Sequence, residues 1–354
     1  MTPFLFLFDP LWDALRILLD SLMQGITALS PTVQSIFVAV APILWGILLT
    51  AVSLVFFLFL APNIIVGYII YVMHLKRTKK TKWTRDCSAD TPVQQGMYDE
   101  GMEWFRANEA KKQDVHIVSE KLNLYGEFFD FSSDKTVILV AGRTEGLRYN
   151  YYFARPYAES GYNILTIDNR AHGKSDGKYN TVGFEEHKDL LAWANYLHEN
   201  HHSETILFHG ICIGSAGALY ALTHKDCPDY VAGMVADGMY PNFWESFRNH
   251  MIELKKPLFG LPFINAWMML LTGHSMKKGP IDVIDRLNRP LLMLHGTGDL
   301  YSLPCEAEKL YEKCGSDQKT IVWFEDGVHS QLRYQDPEKY DGAIKAFLQE
   351  LFPA

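Results

Sequence analysis

Between Asp20 and Lys76 the chain carries no Asp, Glu, Lys or Arg, and residues 36–73 within that stretch are almost wholly apolar. This is far past the ~18 residues that signal a membrane span, so a membrane anchor is expected. As one helix, residues 36–73 would reach ~57 Å at ~1.5 Å per residue, against a hydrocarbon core of ~30 Å. Pro42 and Pro62-Asn63 therefore either kink one long helix or divide it into two passes. No polar loop marks a hairpin, and one span over roughly residues 45–72 is the expectation.

The flanks give a direction. Lys76, Arg77, Lys79, Lys80, Lys82 and Arg85 follow the apolar stretch, whereas Asp9, Asp13, Arg16 and Asp20 precede it. The positive-inside rule then puts the C-terminal part in the cytoplasm. A cleaved signal peptide is not expected, because the basic residues come after the apolar segment and no short apolar core with a small-residue cleavage site is evident. Asp13, Arg16, Asp20 and Gln24 recur every three or four residues among Leu, Ile and Trp, so residues 10–29 read as an amphipathic helix. It would lie on the membrane surface; a second, weakly hydrophobic pass or a helix packed on the anchor is the alternative.

Composition narrows the partners. Lys and Arg number 33 against 41 Asp and Glu, a net charge of −8, which argues against nucleic-acid binding. The five cysteines are odd in number and scattered, with no metal-ligand spacing, and fit a reducing compartment. His201, His202 and His209 have no partnering ligand set, and neither GxGxxG nor GxxxxGK[ST] occurs. No metal or cofactor is expected.

From about residue 91 the pattern becomes a soluble alternation, so residues 1–90 read as anchor and basic juxtamembrane segment and 91–354 as one large domain. Residues 95–111 look helical. Residues 115–119 and 122–131 read as antiparallel strands, and short Val/Ile/Leu runs follow at 136–141, 163–168, 205–209, 231–237, 290–295 and 320–324, separated by helical stretches. Such alternation implies a mostly parallel sheet with helices on both faces, whose chemistry sits at the carboxyl ends of the strands. About fifty residues rich in Trp, Phe, Met and Pro interrupt it after Asp237, reading as a lid or as extra packing helices.

One turn answers the demands of a nucleophile elbow: strand, sharp bend, helix, with the helix N-terminus facing the reacting oxygen. Ile206-Leu207-Phe208 supplies a strand, Gly210-Ile211-Cys212-Ile213-Gly214 the bend, and the small residues from Ser215 onward a helix. The literal G-x-S-x-G match at Gly173-Lys174-Ser175-Asp176-Gly177 lacks a strand before it and a helix after it. Cys212 is thus the candidate nucleophile, with Ser215 as rival; the alternative is a degenerate, inactive site. Asp299 and His329 follow later strands and complete the order nucleophile, acid, base, with Asp237 and then Asp326 as rival acids. A free thiol ionises only near pH ~8.5, and an adjacent imidazole together with a helix N-terminus would lower that value. Backbone N–H groups of Ile213 and Arg143 are the expected oxyanion donors. The Arg143 side chain would meet an anionic substrate group or form a structural ion pair with Glu145 or another carboxylate.

These motifs resemble the α/β-hydrolase superfamily, near its membrane-anchored bacterial members in the lysophospholipase, monoacylglycerol lipase and serine aminopeptidase-like group. The likeness runs from about Gln95 to Leu351 and is carried by DVHIVSEKLNLYGEFF from Asp114, GRTEG from Gly142 and DNRAHGKSDGKY from Asp168. GICIGSAG from Gly210, HGTGDLYSLP from His295 and GVHSQLRYQDPEKY from Gly327 complete it. It implies an α/β-hydrolase fold with an eight-stranded sheet, a lid at about residues 238–288, and Cys212, Asp299 and His329 as triad, with Cys in place of the usual Ser. DNRAHGKSDG looks like a structural loop signature, without direct roles for His172 and Ser175.

The resulting expectation is an acyl hydrolase of the cell membrane acting through an acyl-thioester, its partners the lipid bilayer and an amphiphilic acyl substrate. The alternatives are acyl transfer to an amine or alcohol and a non-catalytic binding module. Acyl chain, head group and oligomeric state are not legible.

Overall fold

The computed structural model describes residues 30–84 and 91–351, together with isolated positions between 13 and 25. The helix expected over residues 10–29 falls for the most part outside the described residues, as do Arg85 and Cys87. Two compact units emerge, Met1–Ile65 and Val66–Ala354.

The first unit contains most of helix α1 (Pro31–Leu75), a 45-residue apolar helix and candidate membrane span. It is longer than the expected 45–72, because neither proline ends it. Pro31 opens it and Pro42 lies inside. Just before Pro62, whose ring nitrogen cannot donate, the ladder widens to a π turn, Phe56–Leu60, and the Ala61 N–H bonds Phe56 O. The Asn63 amide then reaches Phe59 O at 2.5 Å. Wide turns and polar side chains of this kind keep carbonyls satisfied where water is absent.

The second unit starts at Val66, and within it the end of α1 and the basic segment pack on the domain that follows. Gly67, Tyr71 and Leu75, one turn apart, are buried. A Cβ on Gly67 would come within 2.6 Å of Phe263 Cβ. Arg77 donates to the carbonyls of Ser175, Lys80 and Gly173, and Lys82 Nζ to those of Val72 and Lys76. Of the residues read as a topology signal, Arg77 thus also staples the end of α1 to the 168–179 loop, and Lys82 folds the basic segment back onto that end.

The domain proper opens with α2 (Pro92–Asn108), N-capped by Thr91. Eight strands form one sheet in the order β1-β2-β4-β3-β5-β6-β7-β8: β1 (Lys112–Ser119), β2 (Leu122–Phe129), β3 (Lys135–Val140), β4 (Asn163–Ile167), β5 (Thr205–Ile211), β6 (Val231–Asp237), β7 (Leu291–Gly296) and β8 (Lys319–Phe324). Only the β1–β2 and β2–β4 pairs are antiparallel. The period of two along a strand builds a core on each face. Ile138 and Val140 join α4 (Glu186–His201) and α5 (Ile213–Leu222) on one side. Val137 and Leu139 join α2 and α10 (Pro337–Leu351) on the other. Helix α3 (Arg155–Glu159) precedes β4, α8 (Pro304–Lys313) lies between β7 and β8, and α9 (Leu332–Gln335) precedes α10. Between β6 and β7 sit two further helices, α6 (Phe243–Glu253) and α7 (Leu261–Thr272). They occupy the expected lid region and share a third apolar cluster with Tyr71 and Leu75 of α1.

Candidate active site

Cys212 stands between β5 and α5 with φ 54° and ψ −111°, a conformation that costs a side-chain-bearing residue on the order of 1–3 kcal/mol. What holds it is close packing from both flanks. A Cβ on Gly214 would lie 2.4 Å from Val140 O, and one on Gly210 2.3 Å from Gly214 C. Only glycines let α5 approach β3 and β5 so tightly. The Cys212 N–H is fixed on Asp237 O at 2.9 Å. Ile213 is the first residue of α5, so its N–H has no acceptor within the helix. Ser215 is fully buried and its hydroxyl donates back to Gly210 O at 2.6 Å, which turns the rival nucleophile away from the pocket.

The tips of β7 and β8 bring the other two residues together. His329 Nδ1 and Asp299 Oδ2 are 2.7 Å apart. The second carboxylate oxygen of Asp299 accepts the N–H groups of Tyr301 and Ser302 at 2.8 and 2.9 Å. Burial, the strongest single influence on the His329 imidazole, pulls its pKa down. The Asp299 carboxylate and the charge of Cys212, with hydrogen bonds to both, outweigh it and hold the ring well above the usual 6.5. Burial likewise pushes the Asp299 carboxyl up, but the charge and hydrogen bond of His329 leave it below the ordinary carboxylate range. Gly238, at φ 62°, passes so close that a Cβ would meet His329 Cε1 at 3.0 Å.

Neither rival acid occupies this position. Asp237 lies under the elbow, where Oδ2 accepts from the Tyr340 hydroxyl at 2.8 Å and burial pushes the carboxyl up to about 7 despite that bond. Asp326 is exposed, with its backbone N–H on Thr297 Oγ1.

Arg143 and Cys212 face one pocket of about 460 Å³, whose lining includes Met73, His74, Trp83, Phe247, His250, Tyr301 and His329. Arg143 Nη1 lies 3.3 Å from His74 Nδ1 and 3.4 Å from His74 O. The turn that carries Arg143 is pinned by the 168–179 loop: His172 Nε2 is 2.8 Å from Arg143 O, and Asn169 Nδ2 donates to Ala141 O at 3.1 Å. Ser175 donates to Asp168 O at 2.7 Å and accepts from Tyr125 N. His172 and Ser175 thus make structural contacts in this loop. A larger depression of about 890 Å³, lined by Asp99, Glu100, Arg155 and Arg333, contains none of the residues singled out above.

Sequence reasoning missed Met73, His74, His250 and Tyr301. His74 offered one signal, a polar side chain at the very end of an apolar helix. Tyr301 stacks between His250 and His329, at ring-centroid distances of 4.7 and 5.2 Å, and closes one wall. No group of three or more His, Cys, Asp or Glu side chains suited to a metal ion occurs among the described residues.

Similarity to known proteins bears on the fold. Residues 135–259 match the family model described as alpha/beta hydrolase fold. The chain is 28% identical over 221 residues to the uncharacterized protein YqkD of Bacillus subtilis, covering 61% of this chain and 72% of that one. It is 24% identical over 196 residues to the uncharacterized membrane protein YNL320W of Saccharomyces cerevisiae, covering 55% and 63%. Among solved structures it is similar to the Pyrococcus furiosus esterase Pf2001, with a TM-score of 0.58 and 27% identity over 70% of this chain and 93% of that one. The eight-stranded sheet is therefore that of the α/β-hydrolase fold, and the chain is similar to an esterase that shares it.

Proposed function

We propose that this protein is a membrane-anchored acyl hydrolase in which Cys212 is the nucleophile, His329 the acid and base, and Asp299 the residue that orients and charges the imidazole. One observation carries the reading: a cysteine held at positive φ shares a pocket with a histidine whose Nδ1 lies 2.7 Å from a buried carboxylate. The Asp299 bond engages Nδ1 and leaves Nε2 for proton exchange with the sulfur. The raised pKa of His329 suits a thiolate–imidazolium pair.

In the reaction Cys212 Sγ attacks the acyl carbonyl carbon of an ester or thioester. The oxyanion is received by the N–H groups of Ile213 and Arg143, donors worth ~3 kcal/mol each in related sites. As the carbon–heteroatom bond breaks, His329 protonates the leaving group. Water, deprotonated by His329, then adds to the acyl-thioester, and sulfur leaves with the carboxylic acid as product. Helix α1 serves as the anchor, and the basic residues after it put the catalytic domain on the cytoplasmic side. The apolar lid and the anchor favour an amphiphilic acyl substrate.

Intact-protein mass spectrometry tests this after exposure to p-nitrophenyl butyrate. A butyryl mass on Cys212 that neutral hydroxylamine removes, and that Cys212→Ala lacks, is the expected result. Ester turnover undiminished in Cys212→Ala would end the proposal.

A further inference from the structure

Resting on the reading of α1 as a membrane anchor, we infer that the lid carries a second membrane contact: the outward face of α7 and the turn before it lie in the interfacial layer of a bilayer. The stretch Leu258–Thr272 has no charged residue. Its inward face is conventional, with Leu261, Ile264, Asn265 and Met268 buried at helical spacing. Its outward face is not. Pro262, Ala266, Met269 and Leu270 are exposed there, and Phe259 in the preceding turn is 63% exposed and Leu270 70%. A helix on a protein surface in water presents polar residues on its open side, and one apolar all round belongs in a core or in lipid.

Three observations favour lipid as the occupant. Helix α7 is packed on the C-terminal end of α1, with Phe263 against Gly67 and the Trp267 and Tyr68 rings 4.8 Å apart. Val66, Ile69 and Met73 at that end of α1 are themselves exposed. Lys255 and Lys256, both exposed, stand immediately before the apolar turn, where ammonium groups can reach anionic headgroups while their stems lie along apolar surface. The nearby Glu253 carboxylate is turned to His250 at 3.5 Å. Fifteen residues of helix extend only ~22 Å, short of a ~30 Å hydrocarbon core, so this element lies along the interface and does not cross it.

The test uses the full chain in nanodiscs of phosphatidylcholine and phosphatidylglycerol, with an environment-sensitive fluorescent amino acid placed singly at Phe259, Leu270, Val52 or Glu338. Spin-labelled lipid and aqueous iodide serve as quenchers. Positions 259 and 270 are expected to be quenched by the lipid and to lose iodide quenching, as position 52 does, while position 338 behaves in the opposite way. Iodide quenching at 259 and 270 with lipid quenching at 52 would overturn the inference and leave the anchor standing. Iodide quenching at 52 would remove the anchor reading and this inference with it. Protection of 259 and 270 from both quenchers would mean a protein contact, such as a second copy of the chain, and would also overturn it.

Discussion

Helices α5 and α7 are both short, uncharged and apolar, yet α5 is buried over almost its whole length while α7 leaves one face open. The difference lies in what each touches. Helix α5, with six Gly, Ala and Ser among its ten residues, settles against β3, β5 and β6 and brings its N-terminus to Cys212. Helix α7 carries Phe, Trp, Met and Leu around its circumference and has protein on one side only. Apolar composition thus measures the need for a nonaqueous surrounding. Whether protein or lipid supplies it depends on side-chain size and on neighbours.

The largest effect expected on the α5 side is chemical. Cys212→Ala should lower ester turnover by ~10⁴-fold or more, as nucleophile removal does in related triads, measured as kcat/KM on a soluble ester. Cys212→Ser should retain some activity, because the hydroxyl would stand at the same Gly-flanked bend in the pocket that holds His329. A wild-type rate in Cys212→Ala would detach α5 from the chemistry.

A matched pair of substitutions then compares the two helices directly. Ala218 in α5 is fully buried and Ala266 in α7 is exposed. Ala218→Leu should destabilise by ~1–3 kcal/mol through overpacking, whereas Ala266→Leu should stay within ~0.5 kcal/mol of the parent. Denaturant unfolding in detergent reads both, and equal losses would erase the distinction.

Gly238→Ala should cost ~1 kcal/mol for a Cβ at positive φ, and the crowded His329 ring should add a drop in kcat at unchanged KM. Unaltered kinetics would show that the ring has room to yield.

A pH slope is expected beneath the elbow. The folded carboxyl of Asp237 sits at about 7, against ~3.9 unfolded. The folded state therefore holds that proton longer, and stability from this group is full below ~4 and is lost as pH rises to about 7. His329, also raised, adds a loss of the same sign at pH above 6.5. Asp237→Asn should flatten the decline of Tm between pH 4 and 7 and leave the later one; an unchanged profile would contradict the burial argument.

Much of the fold was legible because parallel strands buried on both faces must be continuous apolar runs, and the β6 strand spans the residues expected from sequence, 231–237. The elbow could be found because its glycines answer a steric demand visible in sequence. Pocket walls from distant segments were not legible. Nothing local in the sequence tells that Met73 lines the pocket that holds Cys212, and His74 offers only its polarity at the end of an apolar helix. Nor does charge reveal that Arg77 and Lys82 meet backbone carbonyls in the folded domain. Those contacts arise from tertiary packing, which patterns of composition do not encode.

The most direct measurement is the rate of Cys212 alkylation by iodoacetamide at neutral pH, compared between the parent chain and His329→Asn, each checked for folding by Tm. A thiolate maintained by the imidazole predicts a fall of ~10-fold or more in the variant. Equal rates in the two proteins would contradict the pairing of Cys212 with His329 on which the account stands.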